Sequence, residues 1–172
     1  MSKPYAWDRG LDYEQTYKLI LKHFRETNRD TSKENDIILL TQLRNGCRVS
    51  EAINFLKAIV NDFKREMYIN VMKRKDGYER LIVLPEEISK KDVLRVKYVI
   101  EKANKHKVAM YCKRTYGFNT HSLRYAFVTY LAKKGVPTQL IAKITGHKYL
   151  DYILHYTQKI QAEDILSNLF SL

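Results

Sequence analysis

The sequence has 172 residues and a formal net charge of +12 at neutral pH, from 31 Lys and Arg against 19 Asp and Glu. Its hydrophobic content of 45% is too high for a disordered chain, and its length fits a single domain. No apolar run reaches the roughly 18 to 20 residues that a membrane-spanning helix needs, and the N-terminus has no signal-peptide core. The cysteines, Cys47 and Cys112, are far apart and form no CxxC, which excludes a disulfide framework and a zinc motif.

The positive charge is concentrated in one segment. Residues 102–150 contain ten Lys or Arg and no Asp or Glu, so this segment carries +10 and the rest of the chain only +2. The surface of a soluble protein normally mixes charges of both signs. An acid-free stretch of this length indicates a surface that lies against a polyanion, with nucleic acid as the first candidate.

Three helices are predicted in the first part of the chain, after an irregular arm over residues 1–12. They cover residues 13–26, 33–44 and about 50–56. Asp12 is a suitable N-cap for the first helix, and Thr31 or Ser32 for the second. The Asn45-Gly46 pair supplies a left-handed stop to the second helix.

A change of periodicity then predicts a small sheet. Side chains alternate over residues 67–72 and again over 80–84, with Lys75-Asp76-Gly77 as the turn between them. Asp-Gly between two alternating runs is a good hairpin signal. A third strand is expected over residues 58–63, and Pro85 ends the sheet.

The rest of the chain is predicted to be helical apart from one loop. Helices are expected over residues 90–105, 121–134, 138–145, 149–157 and 161–170. Ser89 and Asp92 have the spacing of a capping box, and Thr120 is a suitable cap for the second of these helices. Residues 107–119 are expected to form a loop. The predicted fold class is therefore α+β and mainly helical, one helical domain with a small three-stranded antiparallel sheet.

Several polar residues lie in unusual settings. They are Arg48, Lys75, His121, Arg124, His147 and Tyr156. The first follows a helix stop, and Lys75 lies in the predicted hairpin turn. His121 and Arg124 are three residues apart, so they share one face at a helix N-terminus. His147 follows another glycine helix stop, and Tyr156 comes nine residues later.

In this arrangement the sequence resembles the catalytic domain of the tyrosine recombinase, or phage integrase, family. The matching segments are Asn45-Gly46-Cys47-Arg48-Val49-Ser50-Glu51, His121-Ser122-Leu123-Arg124, Thr145-Gly146-His147 and His155-Tyr156-Thr157. One HxxR motif alone is not specific, but four segments in this order with a lysine in the hairpin are. The resemblance covers about residues 32–160 and implies the fold of the family's catalytic domain.

The resemblance implies a covalent mechanism. Tyr156 would attack the scissile phosphate of DNA, forming a 3′-phosphotyrosyl link and freeing a 5′-hydroxyl. Arg48 and Arg124 would clamp the non-bridging oxygens, which suit guanidinium forks. Tyr149 and Tyr152 are competitors for the nucleophile, but the spacing from the Gly-His motif and the threonine that follows favour Tyr156.

The same resemblance implies the proton transfers. Lys75 would protonate the departing 5′-oxygen, with Lys73 as the alternative because the hairpin register decides which side chain reaches the site. His121 would assist proton transfer from the tyrosine. His147 would hydrogen-bond the phosphate or help to hold the nucleophile. The mechanism implies no metal and no cofactor.

Basic residues near the motifs are candidates for DNA contacts. They are Lys73, Arg74, Lys113, Arg114, Lys143 and Lys148. The expected partner is double-stranded DNA, on which the resemblance implies self-association into a tetramer, with weak or no association in its absence. The apolar stripe in the C-terminal helix over 160–172 is a candidate for exchange between subunits. A cytoplasmic location on nucleoid, viral or plasmid DNA follows, and the Lys-, Ile- and Tyr-rich composition is compatible with an archaeal or viral host.

Two other functions fit parts of the sequence. Helices 121–134 and 138–145 could form the helix-turn-helix of a non-catalytic DNA-binding module, which would leave Arg48, Lys75 and Tyr156 unexplained. A protein similar to the type IB topoisomerases would share the chemistry but only nick and relax DNA. At most about 30 residues precede the catalytic-type segment, too few for the N-terminal core-binding domain of most family members, so we expect that domain to be absent.

Overall fold

Helices dominate the part of the chain that the computed structural model describes, which is residues 10–71, 73–147 and 151–169, without the side chains of 151, 152, 154–157 and 160. The elements are α1 (Tyr13–Glu26), α2 (Asp30–Asn45), α3 (Val49–Ile59), β1 (Glu66–Asn70), β2 (Glu79–Val83), α4 (Lys90–Arg95), α5 (Lys97–Ile100), α6 (Lys105–Tyr116), α7 (Thr120–Lys133), α8 (Thr138–Thr145) and α9 (Asp151–Asn168). The predicted mainly helical α+β class is confirmed. Within these ranges, no helix is long and apolar enough to cross a membrane.

Helix α2 is the centre of the core. Five of its apolar side chains have no exposed surface, those of Ile37, Ile38, Leu39, Leu40 and Leu43. The helix is covered on all sides, as is typical of a helix buried in a core, and it packs against α1, α3, α6, α7 and β2. At 1.5 Å per residue its ends lie roughly 22 to 24 Å apart. Helix α2 therefore separates two regions of the molecule, one at each end.

The strands β1 and β2 form an antiparallel hairpin, with Ile69 paired to Arg80. Strand β2 turns Arg80 and Ile82 towards the protein interior and leaves Leu81 more exposed, as strand alternation requires. The hairpin therefore places one charged side chain in the same buried row as the apolar residues of β2.

The prediction of a third strand over residues 58–63 is wrong. This segment contains the end of α3 and the turn after it, and the described sheet has two strands. Ile53, Leu56 and Ile59 are buried at helical spacing, so the apolar residues of this region form the inner face of a helix.

The prediction of a loop over residues 107–119 is also wrong, because most of this segment is α6. The Asn104 side chain caps the first turn, and Gly117, at φ 83°, ends the helix. The buried side chains at helical spacing are those of Val108, Tyr111 and Cys112. The basic residues of this segment therefore lie on the exposed side of a regular helix.

Four further boundaries differ from the predictions. The helix expected over 90–105 is divided into α4 and α5 at Val96, where the backbone leaves the helical region (φ −90°, ψ 3°). The two helices expected over 149–157 and 161–170 are one helix, α9. The cap of α7 is Asn119 and not Thr120, and the N-cap of α2 is Arg29, without a side-chain cap.

Candidate active site

The junction between α2 and α3 forms one wall of the candidate site. Helix α2 ends at Gly46, at φ 61°, where an added Cβ atom would lie 2.1 Å from the ring of Phe127 on α7. Only glycine allows the chain to pass α7 this closely in a left-handed conformation. Arg48 follows as the N-cap of α3, and its Nη1 donates a hydrogen bond to Glu51 Oε2 at 3.2 Å.

Helix α7 supplies the second arginine. The Asn119 side chain accepts a hydrogen bond from the Ser122 N–H at 2.9 Å, which fixes the start of the helix. Arg124 follows at 3% exposure, and its Nη2 donates to the Thr145 carbonyl at 3.3 Å. Its Nη1 is buried and has no hydrogen-bond partner among the described residues. A buried guanidinium nitrogen without an acceptor is costly, so this atom suits an acceptor that comes from outside the described residues.

His147 lies directly beyond α8 and against this guanidinium. The Arg124 Nη2 atom is 3.0 Å from Nε2 and 3.1 Å from Nδ1 of the ring, and Nδ1 is 2.6 Å from Thr145 Oγ1. The Thr145 hydroxyl donates to the Ile141 carbonyl at 2.9 Å. Since its proton is used there, Thr145 Oγ1 accepts from Nδ1–H, and Nε2 is left as the acceptor beside Arg124.

The turn before His147 brings α8 against the hairpin. Gly146 ends α8 at φ 77°, and an added Cβ atom would lie 2.6 Å from Val71 Cγ2 at the exit of β1. The Tyr78 hydroxyl donates to the Lys143 carbonyl at 3.2 Å, a second link between hairpin and α8. The hairpin is thereby held beside His147.

A third arginine, Arg80 of β2, lies in the same region. It is 2% exposed, and its Nη2 donates to the Asn45 carbonyl at 2.5 Å. The Asn45 side chain in turn donates to the Val83 carbonyl at 2.8 Å and accepts from the Val83 N–H at 2.9 Å. Arg80 and Asn45 therefore fasten β2 to the end of α2, just before Arg48.

Positive charge exceeds negative charge at this place. The guanidinium groups of Arg48, Arg80 and Arg124 interact with the fully buried carboxylate of Glu51. Buried nitrogen atoms of Arg80 and Arg124, and Oε1 of Glu51, have no hydrogen-bond partner in the described part of the chain. Three cations around one carboxylate leave an uncompensated positive charge, which suits an anion such as a phosphate group.

The pKa values reflect the same environment. Burial, and then the charge of Arg48, lowers the pKa of Arg124 to about 10. Burial lowers the pKa of His147 to about 3, with the charges of Arg124, Arg48 and Arg80 adding to the shift. Partial burial and then the charges of Arg124, Lys73 and Arg48 lower the pKa of His121. Both histidines are therefore neutral at neutral pH, and of the two it is the exposed ring of His121 that can accept a proton.

The chain is similar to known proteins over most of its length. It matches the phage integrase family over residues 89–163. It is 35% identical to "Putative integrase ORF241" of Acidianus two-tailed virus, an alignment that covers 95% of this chain and 69% of the viral protein. It is 36% identical to "Uncharacterized protein MJ0770" of Methanocaldococcus jannaschii, with 95% and 89% covered, and 27% identical to "Putative integrase V10" of Sputnik virophage, with 93% and 88% covered.

The chain belongs to the phage integrase family. The matched segment of this integrase-family chain includes His121, Arg124, His147 and Tyr156. Arg48 precedes that segment, and the fold brings it close enough to Arg124 and His147 for its charge to lower the pKa of both. His121 lies in the first turn of α7, exposed at the edge of this group.

The integrase hairpin presents its basic residues in two ways. Arg74 is paired with Asp76, with 3.1 Å between Nε and Oδ1, and its guanidinium lies 4.0 Å above the Tyr78 ring. Lys73 and Lys75 are both exposed. Of these two, Lys73 contributes to the electrostatic environment of His121. The choice between Lys75 and Lys73 as proton donor stays open. Arg74, by contrast, is held in place by Asp76 and Tyr78.

The remaining predicted residues lie in several places. The backbone of Tyr156 belongs to α9, but its side chain lies outside the described part of the chain, as does the whole of Lys148. Lys143 is exposed on α8, and Lys113 and Arg114 are exposed on α6. The fold places Arg114 at a cavity beside the other end of α2. Among described residues, no group of three or more His, Cys, Asp or Glu side chains could hold a metal ion.

Sequence reasoning gave no role to two residues of this site. Glu51 is part of the motif that includes Arg48, but nothing in its spacing shows that its carboxylate is fully buried. Arg80 alternates with exposed positions in the predicted strand, in the row of Ile82. A charged residue in the apolar row of a strand is a detectable signal, because such a residue needs a buried partner.

Proposed function

We propose that the chain cleaves and rejoins double-stranded DNA through a covalent 3′-phosphotyrosine at Tyr156, in site-specific recombination or integration. The observation that carries this proposal is the buried Nη1 of Arg124, which has no partner in the described part of the chain and lies within the electrostatic influence of Arg48. A phosphate group offers the acceptors that this nitrogen lacks, and guanidinium groups bind it bidentately.

Residues of this chain can supply both the nucleophile and the proton transfers of the cleavage step. The Tyr156 hydroxyl oxygen attacks phosphorus, and its proton passes to a neutral histidine, for which His121 is the candidate. The bond from phosphorus to the 5′-oxygen breaks, and Lys75 gives that oxygen a proton. Religation is the reverse, with the 5′-hydroxyl as nucleophile and tyrosine as leaving group. Arg48 and Arg124 stabilise the charge that develops on the non-bridging oxygens.

The hydrogen bonds of His147 disfavour one of its two candidate roles. Because Nδ1–H is used by Thr145 Oγ1, Nε2 is an acceptor, and its one lone pair faces Arg124 Nη2 at 3.0 Å. A nitrogen that only accepts cannot donate to a phosphate oxygen, and it accepts from a tyrosine hydroxyl only when that hydroxyl replaces the Arg124 N–H. We therefore propose that His147 holds the nucleophile in place of this contact.

The test is a covalent-adduct assay with suicide DNA. The substrate is a duplex library with a randomised core and a nick beside each candidate cleavage position. Cleavage releases a short fragment, so religation cannot occur and the protein stays attached to the DNA. The adduct then migrates with DNA in denaturing gels. We expect an adduct with the wild-type protein and none with Tyr156→Phe. The matched controls Tyr149→Phe and Tyr152→Phe should retain the adduct. An adduct with Tyr156→Phe would overturn the assignment of the nucleophile.

The same assay separates the alternative functions. Wild-type protein that binds duplex DNA with steep salt dependence but forms no adduct would indicate a non-catalytic DNA-binding module. An adduct together with relaxation of supercoiled plasmid, and no recombinant product, would indicate activity of the topoisomerase type.

A modified leaving group tests the proton donor. A substrate with sulfur in place of the bridging 5′-oxygen leaves as a thiolate, which needs no proton from a general acid because a thiol is far more acidic than an alcohol. We expect Lys75→Ala to be slow on normal DNA and close to the wild-type rate on the sulfur substrate. If Lys73→Ala shows this pattern instead, Lys73 is the donor.

We also propose that residues 1–172 act as one catalytic-type domain that assembles into a tetramer on DNA. Exposed Ile165, Leu166 and Leu169 near the end of α9 support this assembly, since they give the C-terminal segment an apolar surface with which to dock on a neighbouring subunit. Leu166→Asp should keep adduct formation on a half-site but lose the tetramer, as measured by light scattering with DNA. A variant that still forms the tetramer would contradict this docking.

A further inference from the structure

A second region rich in positive charge lies at the opposite end of α2. A cavity of about 690 Å³ opens between the end of α1, the start of α2 and α6. Three cations line it, Arg29, Lys107 and Arg114, and the lining residues in the described part of the chain include no carboxylate. The cavity lies roughly 20 Å or more from the candidate active site, because the length of α2 separates them.

The interior wall of this cavity holds a fixed histidine. His23 Nδ1 is 2.7 Å from Asp36 Oδ2, and Asp36 is fully buried. The other oxygen of Asp36 accepts hydrogen bonds from the hydroxyl groups of Tyr111 at 2.9 Å and Tyr116 at 2.6 Å. Since Asp36 only accepts, His23 carries its proton on Nδ1, and Nε2 is the ring nitrogen left for a ligand. The side chain of His23 is 37% exposed.

Two further features of the cavity wall bear on the ligand. The start of α2 suits a negatively charged group, and the side-chain oxygen of Asn35 suits a hydrogen-bond donor. Helix α2 begins here without a side-chain cap, and Ser32 of its first turn lines the cavity. The acidic residue of that turn, Asp30, is paired with Arg95 at 2.7 Å, and Arg95 does not line the cavity. Asn35 donates to the Thr31 carbonyl, but its buried Oδ1 atom has no partner among the described residues.

We propose that this cavity is a second site, one that binds a phosphorylated nucleoside unit. The three cations hold the phosphate, and His23 Nε2 and Asn35 Oδ1 accept hydrogen bonds from the hydroxyl or amino groups of the nucleoside. The unit can come from a DNA strand or from a free nucleotide, because both present the same groups. The site does not depend on strand cleavage, so it can fail or succeed independently of the function proposed above.

The first experiment uses the free nucleotide. Deoxyadenosine 5′-monophosphate is titrated into the full-length protein, with calorimetry and the ring resonances of His23 as readouts. We expect the His23 resonances to shift, and the double variant Arg29→Gln/Arg114→Gln to bind about tenfold or more weakly, from the loss of two charge-assisted contacts. The control, Lys91→Gln/Lys97→Gln, removes the same charge from exposed residues that do not line the cavity, and should bind within about twofold of wild type.

The second experiment identifies the source of the ligand. If the mononucleotide does not bind, but the cavity variant loses about tenfold more affinity than the control variant for a 24-base-pair duplex, the ligand is a DNA strand. His23→Gln should then weaken duplex binding, because the hydrogen bond of the ring is lost. If the cavity and control variants lose equal affinity for both ligands, the cavity is no binding site and the proposal is overturned. The Tyr156 adduct assay, run in parallel, reports on cleavage separately.

Discussion

The two ends of α2 carry positive charge in opposite ways. At the C-terminal end, the guanidinium groups of Arg124 and Arg80 are buried and held by backbone carbonyls. At the N-terminal end, the cations around the cavity, such as Arg29 and Arg114, are exposed, and Asp36 holds His23 beside them. One end is buried, and the other is open.

The difference shows how each end can use its charge. Burying a cation without a full set of partners costs free energy that exposure does not, so a protein retains such a cation where geometry matters. Exposed cations attract polyanions through interactions that salt screens. We therefore expect substitutions at the C-terminal end to affect chemistry sharply, and those at the N-terminal end to change affinity by degrees.

The largest expected effect tests the buried end directly. Arg124→Gln removes the guanidinium with the unpartnered Nη1, and the cleavage rate should fall by about 10²- to 10³-fold, as for loss of one donor to a developing charge. The measurement is the rate of adduct formation on the suicide substrate, with thermal unfolding as the check on folding. A folded variant that cleaves within about threefold of the wild-type rate would contradict a greater sensitivity of the chemistry to substitutions at the buried end.

The close approach of α2 to α7 gives the next effect, on stability. Gly46→Ala adds a Cβ atom 2.1 Å from the Phe127 ring at φ 61°, and should lower the free energy of unfolding by about 3 kcal/mol, from backbone strain and overpacking together. The control is Gly77→Ala, at φ 69° with no atom within 4 Å of the added Cβ, which should cost only about 1 kcal/mol. Urea unfolding of both variants measures the difference, and equal losses would show that the α7 contact gives way.

Arg80 tests whether the hairpin must be fastened to the reaction centre. Arg80→Met should reduce the cleavage rate by about tenfold to hundredfold, since a hydrogen bond to a charged group and a buried positive charge are both lost. Arg80→Lys should recover part of the rate by restoring the charge. The control is Arg95→Met, which breaks the exposed pair with Asp30 and should leave cleavage unchanged. Full activity of Arg80→Met would assign Arg80 to folding alone.

Local periodicity and motif spacing predict much of the buried end. The first helix is found at the predicted bounds, Tyr13–Glu26, because one cap and one apolar stripe define it. The motif residues Arg48, Arg124 and His147 can be recognised by their order, and the fold places them together. The role of Arg80 depends on Asn45, 35 residues away in the chain, and neither strand alternation nor spacing encodes that pairing.

The open end could not be predicted from spacing. The sequence predicts a loop over residues 107–119, and the helical row of Val108, Tyr111 and Cys112 in this segment is short. The cavity exists because the end of α1, the start of α2 and one face of α6 meet without filling the space between them, which is a property of tertiary packing.

Lowering the pH should change the free energy of unfolding in opposite directions through the two ends of α2. His147 has a folded-state pKa of about 3, so between pH 3 and about 6.5 the unfolded chain binds the proton more tightly, and stability is lost as pH falls. Burial raises the pKa of Asp36, although hydrogen bonds from His23, Tyr116 and Tyr111 oppose the shift. The folded protein therefore binds this proton more tightly than the unfolded chain, and the stability gained from it is lost as the pH rises through the pKa of Asp36 in the folded state.

Urea unfolding between pH 4.5 and 7.5 tests these signs. The wild-type protein should lose up to about 2 kcal/mol of unfolding free energy at low pH because of His147, and His147→Gln should not show this loss. Asp36 should add to the unfolding free energy at low pH, and Asp36→Asn should not show this increase. Equal pH profiles of both variants and the wild type would contradict the two assignments. A change of the same sign in both would contradict one of them.

The smallest expected effect concerns the hydrogen bonds behind the cavity. Tyr116→Phe removes the 2.6 Å bond to Asp36 and should lower the free energy of unfolding by about 1 to 2 kcal/mol, because a buried acceptor loses one of its donors. Tyr98→Phe, at an exposed position, is the matched control and should change stability by less than about 0.5 kcal/mol. The adduct rate of Tyr116→Phe should equal that of the wild type, because the length of α2 separates this cluster from Arg124. A slower adduct rate in the folded variant would show instead that the two ends of α2 are coupled, and that the geometry of the buried end depends on the hydrogen bonds of the open one.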